Sequence, residues 1–259
     1  MKLALHTWGD ESSPRVVCLH GVTSHGRHFA KLAEALPGLH VLAPDLLGHG
    51  LSPYEPPWDL ETHLDAIVET VSAKPAALIG HSFGGRLAFE IAARAPKLVP
   101  RLVLLDPAIH VPPPVALAAA ENARNDRAYV SFHEAIDRRY DESQLQRAPR
   151  ELLEEELERH LFLDDDGLYR YRYCQSAVVA AYGEMASQPP RFEDVRIRTL
   201  LVLGEGSYLP YDNLLDAHRA ALGDLLEVVV VSGGHTVLWD ALEETTEVVT
   251  TFLESGLSP

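Results

Sequence analysis

Residues 80–84 read Gly80-His81-Ser82-Phe83-Gly84, a serine with a glycine two positions away on either side. Ala76 to Gly80 is a predicted strand and Phe83 to Ala95 a predicted helix, so the serine falls on a strand-to-helix turn, the context that gives G-x-S-x-G its chemistry. A turn this sharp lifts Ser82 above a sheet, and Gly80, Gly84 and Gly85 let neighbouring backbone pass without Cβ clashes. The helix behind the hydroxyl offers unpaired N–H groups and the positive end of its dipole, so the Phe83 amide can face an oxyanion. A second donor is expected where the strand Arg15 to His20 runs into Gly21-Val22-Thr23-Ser24, and by position it is the Val22 amide. The His20-Gly21 pair alone says little, because a histidine at a strand end is commonly a structural hydrogen-bonder.

A serine hydroxyl is a weak nucleophile at neutral pH and needs an imidazole to take its proton and return it to the leaving group. Of the 13 histidines, His235 has the right placement. It follows Val228 to Val231 and the turn Ser232-Gly233-Gly234, at the carboxyl edge where open α/β sheets bind ligands. The imidazole in turn needs an acceptor to fix its tautomer and balance its cation. Two carboxylates qualify. Asp106 ends the strand after the serine's helix, and Glu205 lies one residue past Gly204 with a longer side chain. Same-edge placement favours Asp106, although an aspartate before Pro107 also suits helix or loop capping.

The elements that must position these groups alternate. Strands are predicted at Arg15–His20, Leu39–Ala43, Ala76–Gly80 and Arg101–Asp106, with helices at Arg27–Leu36, Asp59–Ser72 and Phe83–Ala95 between them. This is the pattern of helices packed on both faces of a mostly parallel, doubly wound sheet. After Asp106 the pattern changes to Pro107, Pro112, Pro113 and Pro114, followed by mostly helical periodicity up to about residue 189. Residues 108–189 are therefore expected to form a mainly helical cap inserted into a core of residues 1–107 and 190–259. Within it Leu152, Leu153, Leu157 and Leu161 form one helical stripe, and Tyr169, Tyr171 and Tyr173 alternate with Arg170 and Arg172 after the turn Asp165-Asp166-Gly167. Three upstream aspartates cancel the local arginine charge, so core-facing tyrosines are preferred over nucleic-acid contacts. Thr199–Gly204 and Leu225–Val231 resume the strands, with helices at Asp212–Leu222 and Thr236–Leu253.

Taken together, the chain resembles capped members of the α/β-hydrolase superfamily, in particular the esterase, lactonase and C–C hydrolase branches. The likeness rests on Leu19-His20-Gly21, on Asp45-Leu46-Leu47-Gly48-His49-Gly50-Leu51-Ser52, on Gly80 to Gly84 and on Gly233-Gly234-His235, in that order. It implies that His235 is the general base and that Asp45 and His49 brace a loop rather than move protons. Many relatives carry an aspartate about three residues past the glycine ending the penultimate strand. Here that slot holds Ser207, which is why the acid must come from elsewhere. A serine at position 82 excludes the branches whose nucleophile is an aspartate, such as epoxide hydrolases and haloalkane dehalogenases.

Composition narrows the partners. The 259 residues carry 22 basic and 38 acidic side chains, a formal net charge of -16, and no basic block that would release counterions from a phosphate backbone, so nucleic acid is not an expected partner. No long apolar window predicts a membrane span, and His6 and Asp10 interrupt the start before a signal-peptide stretch develops, so a soluble cytoplasmic protein is expected. Cys18 and Cys174 form neither a disulfide framework nor a zinc pattern. No H-E-x-x-H, dinucleotide fingerprint or phosphate loop is present, so neither metal nor cofactor is expected. The expected function is hydrolysis of a small or medium hydrophobic carboxylic ester through an acyl-enzyme on Ser82, beneath a Leu-, Ala- and Tyr-rich cap that makes a mostly apolar pocket. Lactone or C–C bond hydrolysis with the same triad is the alternative within enzymes, and a non-catalytic small-molecule receptor the alternative outside them.

Overall fold

A computed structural model describes residues 1–209 and 211–255; residues 256–259 of the second core segment lie outside the described residues. Its centre is a seven-stranded sheet built from β1 (Leu5–Trp8), β2 (Arg15–Leu19), β3 (His40–Pro44), β4 (Ala77–His81), β5 (Leu102–Leu105), β9 (Thr199–Gly204) and β10 (Leu226–Val231). The spatial order is β1-β3-β2-β4-β5-β9-β10. Every pair is parallel except β1 with β3.

The central strands are apolar throughout because both of their faces are covered. In β2, Val17 and Leu19 point into one core layer and Val16 and Cys18 into the other. Likewise Leu102 and Leu104 of β5 face one side and Val103 and Leu105 the opposite side. The first layer receives α2 (Leu60–Val71), α3 (Phe83–Arg94) and α8 (Asp212–Leu222). The second receives α1 (Ala30–Glu34) and α10 (Leu242–Glu254). Since β3 lies on one side of β2 and β4 on the other, the chain reverses direction across the sheet at β2, and the crevice at the carboxyl ends of β2 and β4 opens there.

Between β5 and β9 the chain forms α4 (Pro113–Ala123), β6 (Ala128–Tyr129), α5 (Phe132–Glu142), α6 (Arg150–His160), β7 (Leu161–Leu163), β8 (Tyr169–Tyr171) and α7 (Gln175–Ala186). Pro113 and Pro114 occupy the first turn of α4, where their missing N–H groups break no helical bond. Of the alternating tyrosines, Tyr169 and Tyr171 belong to a three-stranded antiparallel sheet, β6-β8-β7, and Tyr173 makes an isolated antiparallel bridge with His49, partners that periodicity alone did not resolve. Tyr171 is buried and Tyr169 and Tyr173 pack beside it in a small core with Ile136 and Leu157.

Three local readings are corrected. The edge strand β1 was not anticipated: it is short, half-exposed and mixes Leu, His, Thr and Trp, so it carries no clear apolar alternation. The helix expected over Arg27–Leu36 is a 3₁₀ turn at Gly26–Phe29 continued by the short α1. The helix expected over Thr236–Leu253 breaks at Ala241, whose φ of −140° separates α9 (Val237–Asp240) from α10.

Candidate active site

The turn at Ser82 is as sharp as its glycines imply. Ser82 sits at φ 53° and ψ −120°, a left-handed conformation that costs a side chain about 1–3 kcal/mol. It is held by its surroundings: its N–H donates to Leu105 O at 3.2 Å, and its carbonyl accepts from Gly85, Arg86 and Ala108 N–H at 2.9, 3.3 and 3.0 Å. A Cβ on Gly80 would lie 2.3 Å from Gly84 O, and one on Gly84 would lie 2.0 Å from Leu19 O, so β4, α3 and the end of β2 approach too closely for any side chain. Gly21 passes Ser82 just as tightly, since a Cβ there would come within 2.9 Å of Ser82 Cβ and 3.4 Å of its Oγ.

That approach brings the Gly21–Val22 peptide against the serine, and His20 orients it. Leu46 N–H donates to His20 Nε2 at 2.9 Å, so the ring carries its proton on Nδ1, which donates to Gly21 O at 2.8 Å. Burial, then the neighbouring His49, pushes the His20 pKa well below the ordinary range, which keeps the ring neutral. With Gly21 O drawn to His20, the trans peptide turns the Val22 N–H the opposite way. Neither the Val22 nor the Phe83 amide is donated within the chain among the described residues, and Val22 lines the same cavity as Ser82.

Asp106 and His235 meet across the carboxyl edge of the sheet. His235 Nδ1 donates to Asp106 Oδ2 at 2.6 Å, with the aspartate 2% and the histidine 7% exposed. Asp106 also accepts the Gly204 N–H at 3.1 Å on Oδ1 and the Ser207 hydroxyl on Oδ2, and its own φ is 40°. Glu205, the other carboxylate weighed from sequence, is exposed and makes neither a hydrogen bond nor an ion pair with His235. Ser82 and His235 line one cavity of about 280 Å³; no hydrogen bond joins Ser82 Oγ to the ring, and such bonds commonly tighten only when substrate arrives.

Two further residues hold the histidine loop. His81 Nε2 donates to His235 O at 3.0 Å, and its ring is kept neutral chiefly by burial and then by the nearby His235. Asp240, 5% exposed, accepts four backbone N–H groups: Gly234 at 2.8 Å on Oδ2, and Gln146, Arg147 and Ala148 at 2.9, 2.9 and 3.0 Å on Oδ1. One carboxylate thus joins the residue before His235 to the corner that leads into α6. Neither residue was singled out from sequence. His81 occupies a motif position open to any residue, and Asp240 sits inside what reads as a helix.

Asp45 and His49 have the bracing contacts expected of them. Asp45 accepts from Gly26 N–H at 2.7 Å, His6 Nε2 at 3.1 Å and Leu51 N–H at 2.9 Å. Burial alone would raise its pKa, but the bonds from His6, Leu51 N–H and Gly26 N–H hold it below the usual carboxylate range. His49 donates from Nδ1 to Leu47 O at 2.9 Å and accepts Thr23 N–H at 3.4 Å, and burial lowers its pKa to about 4.

The cavity is less uniformly apolar than the Leu-, Ala- and Tyr-rich segment suggested. Ala108, Val111, Val115, Val178, Met185 and Leu209 make apolar wall, while Arg127, Arg139 and Glu142 add charge to it. The arginines were missed because they lie on helical and strand-flanking positions that look surface-exposed in sequence. Among the described residues no group of three or more His, Cys, Asp or Glu side chains is arranged to hold a metal ion, and no helix is long and apolar enough to cross a membrane.

Comparison with known proteins matches this architecture. Residues 14–250 fit the family described as alpha/beta hydrolase fold. The chain is 33% identical over 243 residues to Lipase LipV of Mycobacterium tuberculosis, covering 91% of each protein. It is 25% identical to the mouse (Mus musculus) sn-1-specific diacylglycerol lipase ABHD11, over 95% of this chain and 82% of that protein. Among solved structures, E-2-(acetamidomethylene)succinate hydrolase superposes with a TM-score of 0.84 at 24% identity, covering 97% of this chain and 95% of that one. A parallel sheet with a glycine-flanked serine turn after β4, a match over nearly its whole length and a lipase-named relative at one-third identity place the chain in the α/β hydrolase fold family of hydrolases.

Proposed function

We propose that the protein is a serine hydrolase that cleaves small to medium, largely hydrophobic carboxylic esters through an acyl-enzyme. Ser82 Oγ attacks the ester carbonyl while His235 Nε2 takes its proton; the imidazolium then protonates the departing alcohol. Water, deprotonated by the same ring, attacks the acyl-serine and releases the acid. Asp106 holds His235 in the Nδ1–H tautomer and balances its transient charge, and the Val22 and Phe83 amides stabilise the oxyanion. Residues 108–189 act as a cap, closing the cavity over Ser82.

The observation that carries this reading is the 2.6 Å bond from His235 Nδ1 to buried Asp106, made beside a left-handed Ser82 on the same cavity. The tautomer it imposes leaves Nε2 free to accept a proton. The cavity of about 280 Å³ is at the lower end of small-molecule sites, which favours compact acyl groups. The names of two relatives, both lipases, are consistent with ester chemistry.

The test is turnover of p-nitrophenyl acyl esters of graded chain length together with fluorophosphonate labelling. Wild-type protein is expected to hydrolyse the short and medium esters and to be labelled on Ser82, with both signals lost in Ser82→Ala. Folded protein that is neither labelled nor active on any ester would overturn the proposal and favour a receptor role. Lactones and vinylogous diketones in the same assay separate the sister chemistries.

A further inference from the structure

Arg139 on α5 is 4% exposed and lines the cavity that holds Ser82 and His235. An arginine cannot shed its proton inside a protein, and a buried charge is costly unless it is paired and hydrogen-bonded. Yet no carboxylate lies within 4 Å of this guanidinium among the described residues. Glu142, the acidic group of the same wall, is engaged elsewhere: it accepts the Tyr129 hydroxyl at 2.9 Å and lies 3.7 Å from Arg127. The faces of Arg139 are covered, with its Cζ 5.0 Å from the Tyr171 ring centroid and 5.2 Å from that of Trp239. Its edges are not. Nη2 reaches Thr23 O at a long 3.4 Å, and among the described residues the buried Nε has no partner and Nη1 donates to no acceptor.

Aromatic faces stabilise a cation without satisfying its in-plane N–H donors. The charge balance is unusual as well. In a protein of formal net charge −16, the described residues of these walls set Arg127 and Arg139 against the single carboxylate of Glu142. The excess cation is next to the chemistry, since Thr23, its weak acceptor, follows Val22 directly. A planar fork of donors beside an ester-cleaving centre is matched by a carboxylate.

We infer that Arg139 is a specificity-determining residue that receives an ionised carboxylate carried by the substrate in addition to its ester. The preferred substrates are then half-esters of short dicarboxylic acids, or esters whose alcohol part bears a carboxylate. This rests on the ester-hydrolase reading above and names the substrate class of the same site.

The experiment compares kcat/KM for p-nitrophenyl hydrogen glutarate with neutral p-nitrophenyl valerate, and for 3-carboxy-4-nitrophenyl butyrate with p-nitrophenyl butyrate. At least one charged ester is expected to exceed its neutral counterpart about tenfold or more in the wild type. In Arg139→Met that ratio falls at least about tenfold, and Arg139→Lys, which keeps the charge but not the fork, retains part of it. A wild-type ratio at or below one for both pairs overturns the inference. So does a ratio unchanged in Arg139→Met, because a residue that only braces the Val22–Thr23 loop lowers both esters together. If no ester is turned over, the hydrolase reading has failed and binding decides the inference separately. Calorimetric titration of glutarate into Ser82→Ala is then expected to saturate, with at least tenfold weaker binding in Ser82→Ala/Arg139→Met; absence of binding to Ser82→Ala overturns it.

Discussion

Ser207 donates its hydroxyl to the same oxygen of Asp106 that holds His235. The residue in the slot where many α/β hydrolases carry their acid is here a hydrogen-bond donor to the aspartate that follows β5, the acid of the proposed triad. Its bond and the Gly204 N–H fix the Asp106 carboxylate in place while it faces the imidazole.

Removing the charge of Asp106 should cost far more than removing that of Glu205. Asp106→Asn presents an amide that no longer imposes the Nδ1–H tautomer, and kcat is expected to drop by roughly 10²–10⁴. Glu205→Gln, altering an exposed side chain with no contact to the ring, should stay within about twofold. Steady-state ester kinetics on both proteins decide it, and full activity in Asp106→Asn would reassign the acid.

The shared oxygen also predicts a transplant. Because Ser207 already reaches Asp106, a carboxylate introduced there is near His235. The double variant Asp106→Asn/Ser207→Asp is expected to recover at least about tenfold of the kcat lost in Asp106→Asn. Ser207→Ala alone should lower kcat by only about three- to tenfold, the order of one lost hydrogen bond. A double variant no better than Asp106→Asn would show that position 207 cannot supply the acid.

The serine turn should be intolerant of added volume. A Cβ on Gly84 meets the Leu19 carbonyl at 2.0 Å, so Gly84→Ala must push β2 away from α3 and is expected to cost about 3 kcal/mol or more. Chemical denaturation measures the loss. Gly183→Ala, on an α7 position whose added Cβ meets nothing within 4 Å, is the control and should be neutral or mildly stabilising.

Acid should destabilise the fold before its carboxylates titrate. Burial lowers the pKa of His49 and His218 to about 4 and, with the nearby His49, that of His63 to about 3, against 6.5 for a free ring. Between pH 6.5 and about 4 the unfolded chain takes up these protons and the folded chain does not. Stability is thus retained above pH 6.5 and declines as pH falls, on the order of 1–3 kcal/mol for each ring. Asp45, depressed in the folded state, has the carboxylate pattern: its contribution persists above its ordinary value of 3.8 and is lost only below it. Melting temperature against pH is the measurement, and His63→Leu should reduce the proton uptake linked to unfolding by about one in that window.

How far the sequence could be read follows from the range of the interactions. The central strands are apolar runs bounded by glycine and loops, and the serine turn, the Asp45 loop and the Gly233-Gly234-His235 turn are local patterns, so each is visible in a few consecutive letters. The preference for Asp106 over Glu205 came from topology, since consecutive parallel strands end on one edge. What stayed hidden depends on contacts between distant segments. Ser207 matters through an aspartate 101 positions away, and His81 through a carbonyl 154 positions away. The charged cavity wall arises because α5 and the strand-flanking Arg127 turn inward, which helical periodicity cannot distinguish from a solvated face. The strand β1 was missed for lack of apolar alternation.

The carboxylate of Asp240 grips the backbone before His235 with one oxygen and the 146–148 corner chiefly with the other. Any displacement of residues 146–148 would therefore strip away three of its four donors and slacken the loop carrying the His235 imidazole.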